Sequence, residues 1–270
     1  MQAFIPTAPH RLDAYRLRRP ATSPRNGLQA ARAEHSGGST VDWRSFRARL
    51  VQTEQTTTPA GEPSTKEWAH EVPFVEAGCL LIASPEHFVG EHSCSFFANS
   101  VVLVLTHHSD KGTVGVILNR PVAAAVSEPR LRGAVSAAPA PLYLGGPVAL
   151  DSLLALHNDA SIPGAGQVVD GVATSGVAEV LSRIERGQMN VDSCRFFCGY
   201  SGWSPGQLQE EVDSGVWYTC ASCTELVTEK GLHRDDYLTK KLLKLMGGRF
   251  TQIGERLDNE NPGTGWKFGS

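Results

Sequence analysis

The sequence predicts an α+β fold built on a mixed β-sheet. Short apolar runs bounded by glycine, proline, serine or asparagine recur from residue 79 onward, and such runs are typical of strands. Helical periodicity occurs at only a few places. The strand and helix signals do not alternate regularly, which argues against a doubly wound nucleotide-binding sheet. The 27 glycines and 16 prolines among 270 residues also predict many turns and short elements.

Residues 1–35 form a basic segment ahead of an acidic body. They contain six arginines, one aspartate and one glutamate, whereas the whole chain has a net charge of −3. An arginine-rich, acid-poor segment is typical of an organelle transit peptide, and the small residues of 29–33 offer a removal site. We therefore expect residues 1–35 to be a disordered transit peptide. A basic tail without a targeting role is the alternative interpretation.

Two further segments precede the main domain. Within residues 40–51, Trp43, Phe46 and Leu50 form an apolar stripe, which predicts a short amphipathic helix. This helix is expected to dock on the main domain, although it also suits a partner protein. Residues 52–70 are rich in threonine, proline, glutamine and glutamate and lack apolar periodicity, so they are interpreted as a linker.

The main domain is expected over residues 71–256, followed by a C-terminal tail over residues 257–270. Seven short apolar or β-branched runs predict its strands: Cys79–Ala83, Val101–Leu105, Val114–Leu118, Leu142–Leu144, Leu153–Leu156, Cys194–Cys198 and Val216–Thr219. None approaches the roughly 20 apolar residues that a membrane-spanning helix requires. No membrane span is therefore expected.

Three helices are predicted from their start and stop signals. One follows Ser175 and ends at Gly187, and another runs from an aspartate pair at 235–236 to Gly247. The third begins with a predicted capping box, in which the Ser204 hydroxyl accepts from the Gln207 amide and the Gln207 side chain accepts from the Ser204 amide. These helices are few and short, as the α+β assignment requires.

Six ordered motifs of this chain resemble those of the AlgH/YqgE family, and together they cover about residues 72–250. They are Gly78–Pro85, Ser100–Leu103, Gly115–Pro121, Tyr143–Val148, Leu156–His157 and Arg195–Trp203, the last followed by Gly206–Leu208. The resemblance implies a largely antiparallel, bifurcated sheet that forms a pseudo-barrel with a few flanking helices. The family occurs in bacteria and plastids, so the resemblance also favours the chloroplast stroma, with the mitochondrion or cytoplasm as alternatives.

The resemblance implies a regulatory or binding protein, and it does not imply a defined reaction. The family takes its name from a proposed role in regulating alginate production, as a transcriptional regulator. This chain has Gln209 where the family usually has glutamate, and an amide cannot serve as a general acid or base. It also has Leu238 where the family usually has tryptophan, a change of packing volume. The first of these departures disfavours catalysis at that position.

The motifs also supply candidate site residues for an unidentified small molecule or protein. Polar groups, tight turns and a large aromatic side chain are what the edge of a small-molecule cleft needs. The candidates are Asn119, Arg120, Gly145, Gly146, His157, Tyr200, Trp203, Gln207 and Glu211. The alternative is that the same residues form turns and core packing. If the cleft exists, a small-molecule or thiol-dependent enzyme using Arg120 and Trp203 is the competing function.

Cysteines provide the other chemical candidates. Cys220 and Cys223 form a Cys-x-x-Cys pair, which suits a redox pair, buried inert thiols or, together with Cys194 and Cys198, a zinc site. The upstream pair lies in an apolar run, so no metal and no cofactor are expected. Direct nucleic-acid binding is not expected either, because the body that follows the basic segment is acidic.

Overall fold

The computed structural model of the protein describes residues 67–88, 96–122, 142–228 and 236–260. The expected transit peptide, the helix at 40–51 and most of the expected linker lie outside the described residues. So does the end of the chain beyond residue 260.

Ten strands and five α-helices make up the described residues. The strands are β1 (Ala69–Glu71), β2 (Leu80–Ala83), β3 (Val101–His108), β4 (Gly112–Ile117), β5 (Leu142–Leu144), β6 (Val148–His157), β7 (Gly166–Val169), β8 (Val172–Ser175), β9 (Cys194–Trp203) and β10 (Trp217–Ser222). The helices are α1 (Val177–Glu185), α2 (Gln207–Asp213), α3 (Thr224–Thr228), α4 (Tyr237–Met246) and α5 (Arg249–Glu260). This composition confirms the α+β fold. Within the described ranges, no helix is long and apolar enough to cross a membrane.

All ten strands belong to one sheet, which branches at β9. The main path is β1-β10-β2-β3-β4-β9-β6-β8-β7, and every neighbouring pair on it is antiparallel. The C-terminal residues of β9 pair with β4, where Trp203 lies opposite Thr113. Its N-terminal residues pair with β6 and also, in parallel, with β5. The bifurcated sheet is thus confirmed. Within the described residues its two end strands, β1 and β7, do not pair with each other, so the sheet does not close into a barrel.

The central strands are buried on both faces. In β2, Leu80 and Ile82 belong to the hydrophobic cluster beneath α4 and α5, whereas Leu81 and Ala83 belong to the cluster beneath α2. A strand that is covered on both sides needs apolar residues at every position, not at alternate ones. This double burial explains why the sequence shows continuous apolar runs here.

The C-terminal helical hairpin closes one face of the sheet. Helix α4 follows Asp236 and ends at Gly247, as predicted, and Gly247 has a φ of +71°. Helix α5 was not predicted, and it crosses the expected boundary at residue 256. Phe250, Ile253 and Leu257 form its apolar stripe against the core. Leu257, at which the C-terminal tail is expected to begin, thus lies within α5 and packs against the core.

The expected linker also ends earlier than predicted. Residues 69–71 form β1, which pairs antiparallel with β10, with Ala69 opposite Ser222. Ala69 and His70 are buried. A three-residue strand at a sheet edge carries too little periodicity for the sequence to predict.

Helix α1 begins and ends near the predicted residues. It follows Gly176 without a side-chain cap, since Ser175 is the last residue of β8. Its end is as predicted: Gly187 has a φ of +69° and donates its N–H to the carbonyl of Ile184. The residue that precedes α1 is therefore Gly176, one position after the predicted Ser175.

Only half of the predicted capping box is present. The Ser204 N–H donates to Gln207 Oε1 at 3.0 Å, as expected. The Gln207 N–H, however, donates to the main-chain carbonyl of Ser204 at 3.1 Å and not to its hydroxyl. With Gly206 at a φ of +80°, residues 204–207 form a turn of type II, which favours proline and glycine at its two central positions. Pro205 is thus a turn residue, and α2 begins only at Gln207.

Candidate functional site

The predicted residues Asn119 and Arg120 hold a loop in the interior. Arg120 is 6% exposed, and its guanidinium donates to the main-chain carbonyls of Phe96 and, at 2.8 Å, Ala98. Asn119 is buried as well; its Oδ1 accepts from the Val101 N–H at 2.9 Å. Both side chains therefore fix the approach to β3, and they bond to main-chain groups instead of facing an open cleft.

The glycine pair of the predicted cleft allows two chain segments to meet. A Cβ on Gly145 would lie 2.4 Å from the carbonyl oxygen of Gly199. A Cβ on Gly146 would lie 2.1 Å from the carbonyl carbon of Tyr200 and 2.3 Å from the nitrogen of Ser201. Real Cβ atoms do not approach main-chain atoms so closely. The glycines are therefore needed for packing against β9, where no room remains for a ligand.

His157 is also an interior residue. Its Nδ1 accepts from the Asp159 N–H at 3.3 Å, so Nε2 carries the proton and donates to Ser175 Oγ at 2.9 Å. A histidine that activates a serine must instead accept the hydroxyl proton. Burial lowers the pKa of His157, which keeps the ring neutral. The histidine and serine therefore form a structural bond and do not serve as a base with its nucleophile.

Three of the predicted residues do come together, with one that the sequence analysis missed. Glu211 Oε2 accepts from the indole N–H of Trp203 at 2.9 Å and from that of Trp217 at 2.7 Å. Gln207 Nε2 donates to Glu211 Oε1 at 2.9 Å. The i, i+4 spacing of Gln207 and Glu211 on one helix indicates that these two side chains can meet. Trp217 gave no such signal, because it comes from another strand.

The remaining expectations for a cleft around Arg120 and Trp203 are not met. Tyr200 packs against the cluster beneath α4 and α5, whereas Trp203, three residues along β9, belongs to the opposite cluster. Arg120 lies 5.6 Å from the ring centre of Phe96, and ring contacts continue through Phe97 to Trp203. Aromatic side chains fill the space between the two residues. The structure therefore does not assemble the predicted set on one concave surface.

Cys220 and Cys223 are both buried in the core beneath α4 and α5. Burial raises the pKa of the Cys223 thiol, and also that of Cys198, which makes the reactive thiolate rare at neutral pH. These surroundings are those of inert thiols, not of an exchanging redox pair. No group of three or more metal-ligating side chains occurs within the described parts of the chain.

A cleft of about 540 Å³ lies elsewhere, beside α5. Its walls come from the loop after β2, the turn after α2, strand β10 and one face of α5. The lining residues are Ser84, Glu86, His87, Ser214, Gly215, Tyr218, Arg249, Gln252, Ile253 and Arg256. The four residues from α5 are spaced i, i+3, i+4 and i+7, which places them on one side of the helix. The sequence pattern does not indicate this site, because α5 has no start signal that predicts it.

The polar groups of this cleft are connected through Tyr218. Its hydroxyl accepts from Ser84 Oγ at 3.1 Å and donates to Glu86 Oε2 at 3.4 Å. Arg256 donates to the other oxygen of the same carboxylate, also at 3.4 Å. Burial raises the pKa of Tyr218, so its hydroxyl stays protonated at neutral pH. Tyr218 is thus a hydrogen-bond donor and not a base.

At the N-terminal end of α5, Arg249 donates to Glu71 Oε1 at 2.6 Å. Arg249 and Arg256 therefore place two guanidinium groups along one wall. The cleft offers charged and neutral donors around a concave volume, which is the chemistry of a binding site.

These observations define an α+β domain whose ten-stranded sheet branches at one long strand, with a helical hairpin over one face and a polar cleft beside its last helix. The chain belongs to the AlgH-like family (DUF179), whose sequence model matches residues 80–251. The resemblance noted from the motifs is thereby confirmed. The matched range contains strands β2 to β10 and ends within α5.

The relatives include bacterial proteins of the same kind. A UPF0301 protein from Chlorobaculum tepidum is 39% identical over 157 residues, which cover 56% of this chain and 80% of the relative. One from Chlorobium limicola is 36% identical over 151 residues, covering 55% and 78%. The similarity thus spans most of the length of each relative but little more than half of this chain.

Solved structures share the fold. The solution structure of the AlgH protein from Pseudomonas aeruginosa is similar with a TM-score of 0.52 and 24% identity, covering 68% of this chain and 95% of that one. A crystal structure of a protein from Corynebacterium diphtheriae gives a TM-score of 0.54 at 23% identity, covering 68% and 94%. At these identities the similarity concerns the fold alone.

Proposed function

We propose that this protein is a binding protein with a regulatory role rather than an enzyme, and that its ligand site is the cleft beside α5. The observation that carries the proposal is the convergence of polar side chains from four separate segments on one open volume. Its size of about 540 Å³ lies within the roughly 300–1,000 Å³ that small-molecule sites occupy.

The chemistry of the candidate reactive groups also supports binding over catalysis. His157 is neutral and donates to Ser175, Glu211 is held by three donors, and Cys223 is a buried thiol with a raised pKa. In the cleft, Ser84 donates to Tyr218 and so is not paired there with a base. Regulation through a bound small molecule requires none of these groups to react.

Filling the cleft should abolish ligand binding without unfolding the domain. Gln252 is an exposed lining residue, so Gln252→Trp places an indole in the cleft while leaving the core intact. A ligand at 100 times its Kd stabilises the native state by about 2.7 kcal/mol, which corresponds to a rise in Tm of roughly 5–10 °C for a domain of this size. We expect compounds from a thermal-shift screen to raise the Tm of the wild type and not that of Gln252→Trp.

Glu255→Trp is the matched control, because Glu255 is exposed on α5 and does not line the cleft. This variant should respond like the wild type. The proposal is wrong if no compound raises the Tm of the wild type. It is also wrong if the two tryptophan variants respond equally.

We also propose that residues 1–35 direct the protein to the chloroplast. The proposal is supported by the six arginines of this segment and by its position outside the residues that match the family. A fusion of residues 1–40 to a fluorescent reporter should accumulate in the chloroplast of a plant or algal cell. The same fusion with all six arginines replaced by glutamine should stay in the cytoplasm. Equal cytoplasmic fluorescence of both fusions would contradict the proposal.

A further inference from the structure

The cleft beside α5 already holds one carboxylate between two donors. Glu86 Oε1 accepts from the guanidinium of Arg256, and Glu86 Oε2 accepts from the hydroxyl of Tyr218, each at 3.4 Å. A forked cation and a neutral hydroxyl therefore converge on the position of a single anionic group. The arrangement resembles the way in which proteins recognise a carboxylate or phosphate.

The contacts of Glu86 are weak enough to be exchanged. A separation of 3.4 Å lies beyond the usual 2.7–3.2 Å of a strong N–H···O bond. The side chains of Arg256 and Glu86 are 52% and 56% exposed, and ion pairs between exposed side chains contribute little to stability. Glu86 can therefore leave this position at small cost when a better-fitting anion enters.

Tyr218 is oriented toward the same position. Its oxygen accepts from Ser84 Oγ, so its own proton points to Glu86. Burial raises the pKa of Tyr218, and the hydroxyl therefore remains a donor over the physiological pH range. Tyr218 can donate to an anion without adding a charge of its own.

The remainder of the cleft suits the less polar part of a ligand. Ile253 and the ring of Tyr218 contribute apolar surface beside the anion position. Arg249 lies seven residues before Arg256, about 10 Å away along the helix at 1.5 Å per residue. It is already held by Glu71 at 2.6 Å, so Arg256 is the more available cation.

We infer that the cleft binds a small molecule through a phosphate or carboxylate group, which replaces Glu86 between Arg256 and Tyr218. This inference rests on the proposed function, since it names the ligand class of the same cleft. Glu86 then acts as an internal competitor that occupies the anion position in the empty protein.

The test compares anionic and neutral probes on the full chain. The probes are phenyl phosphate and benzoate, with benzamide as the neutral counterpart of benzoate, and affinity is measured by calorimetric or NMR titration. Phenyl phosphate or benzoate should bind at least tenfold more tightly than benzamide. Arg256→Gln should weaken the anion by at least tenfold, about 1.4 kcal/mol, while Glu86→Gln should tighten it several-fold because the competitor is lost.

Two control variants change the charge without touching the cleft. Arg186→Gln removes a positive charge at the end of α1, and Glu255→Gln removes a negative charge from α5 outside the lining. Both should bind the probes within twofold of the wild type. If Arg186→Gln weakens binding as much as Arg256→Gln does, and Glu255→Gln tightens it as much as Glu86→Gln does, the effect is one of net charge and the inference is wrong.

The remaining outcomes separate this inference from the proposed function. If benzamide binds as tightly as benzoate and Gln252→Trp blocks both, the cleft is a binding site but not one for anions. If neither kind of probe binds and the thermal-shift screen also yields no ligand, the proposed function fails together with the inference.

Discussion

Replacement of Gly146 by alanine is expected to destabilise the domain by about 4 kcal/mol or to prevent folding. The added Cβ would lie 2.1–2.3 Å from three main-chain atoms of Tyr200 and Ser201. A clash with main chain cannot be relieved by a rotamer change, so β9 would have to move at the branch of the sheet. Overpacking that shifts a backbone costs 1–3 kcal/mol and occasionally more, and here the contact is unusually short. Urea denaturation gives the free energy of unfolding directly.

Gly176→Ala is the control for this substitution. Gly176 has a φ of −63°, and a Cβ there would meet no atom within 4 Å. That variant should change the free energy of unfolding by less than about 1 kcal/mol, because the preference for glycine at the N-cap of α1 opposes the restriction that alanine places on the unfolded chain. An unchanged denaturation midpoint for Gly146→Ala would show that the close approach to β9 is not a requirement of the fold.

The second large effect is expected at Arg195, a buried cation on β9. Its guanidinium donates to the carbonyls of Val227, at 2.8 Å, and Leu118, and it lies 4.4 Å from the ring centre of Tyr143. Burial lowers the pKa of Arg195, yet an arginine retains its proton in proteins. Lysine keeps the charge but lacks the planar fork, so Arg195→Lys leaves a carbonyl unpaired and buries a less well accommodated cation. We expect a loss of about 2–4 kcal/mol at pH 7.

The pH dependence of this variant distinguishes the cause. A buried lysine has a folded-state pKa below its unfolded value of about 10.4, so the unfolded state binds more protons between the two values. Stability relative to the wild type should therefore rise with pH, and part of the loss at pH 7 should be recovered near pH 9.5. Arg183→Lys is the control, because Arg183 lies on the partly exposed surface of α1. This variant should change the free energy of unfolding by less than about 0.5 kcal/mol. A loss at Arg195→Lys that does not change with pH would contradict burial of the charge.

These positions indicate that several residues of the family motifs have structural roles. Gly146, Arg195, Asn119 and Arg120 lie in the segments that carry the resemblance, and each is used inside the fold. The sites at which the motif residues meet are the branch of the sheet and the loop before β3. The proposed ligand cleft is instead lined by Tyr218 and Ile253, which pack with the cluster beneath α4 and α5, and its arginines come from α5.

The sequence by itself determined the α+β class, the central strands and two of the helices nearly to the residue. The apolar run at 101–105 and the glycine at the end of α1 each depend on the immediate surroundings of those residues. A local sequence pattern can predict features of this kind. The half capping box at residues 204–207 shows the limit of such patterns. The same Ser-Pro-Gly-Gln residues suit a helix cap and a turn, and the structure has the turn, with Gly206 at a φ of +80°.

Only the tertiary structure decided which polar residues are buried and which form a cleft. Tyr218 and Glu86 are 132 residues apart, and Arg256 and Glu86 are 170 residues apart. These side chains meet because β2 pairs with β10 and because α5 docks on the sheet. Neither contact can be predicted from the local sequence. Arg120 and Arg256 have the same chemistry in the sequence, but the first is enclosed by main-chain carbonyls and the second faces solvent. The physical reason is that burial is a property of the assembled sheet and helices, whereas residue type and periodicity are properties of the chain.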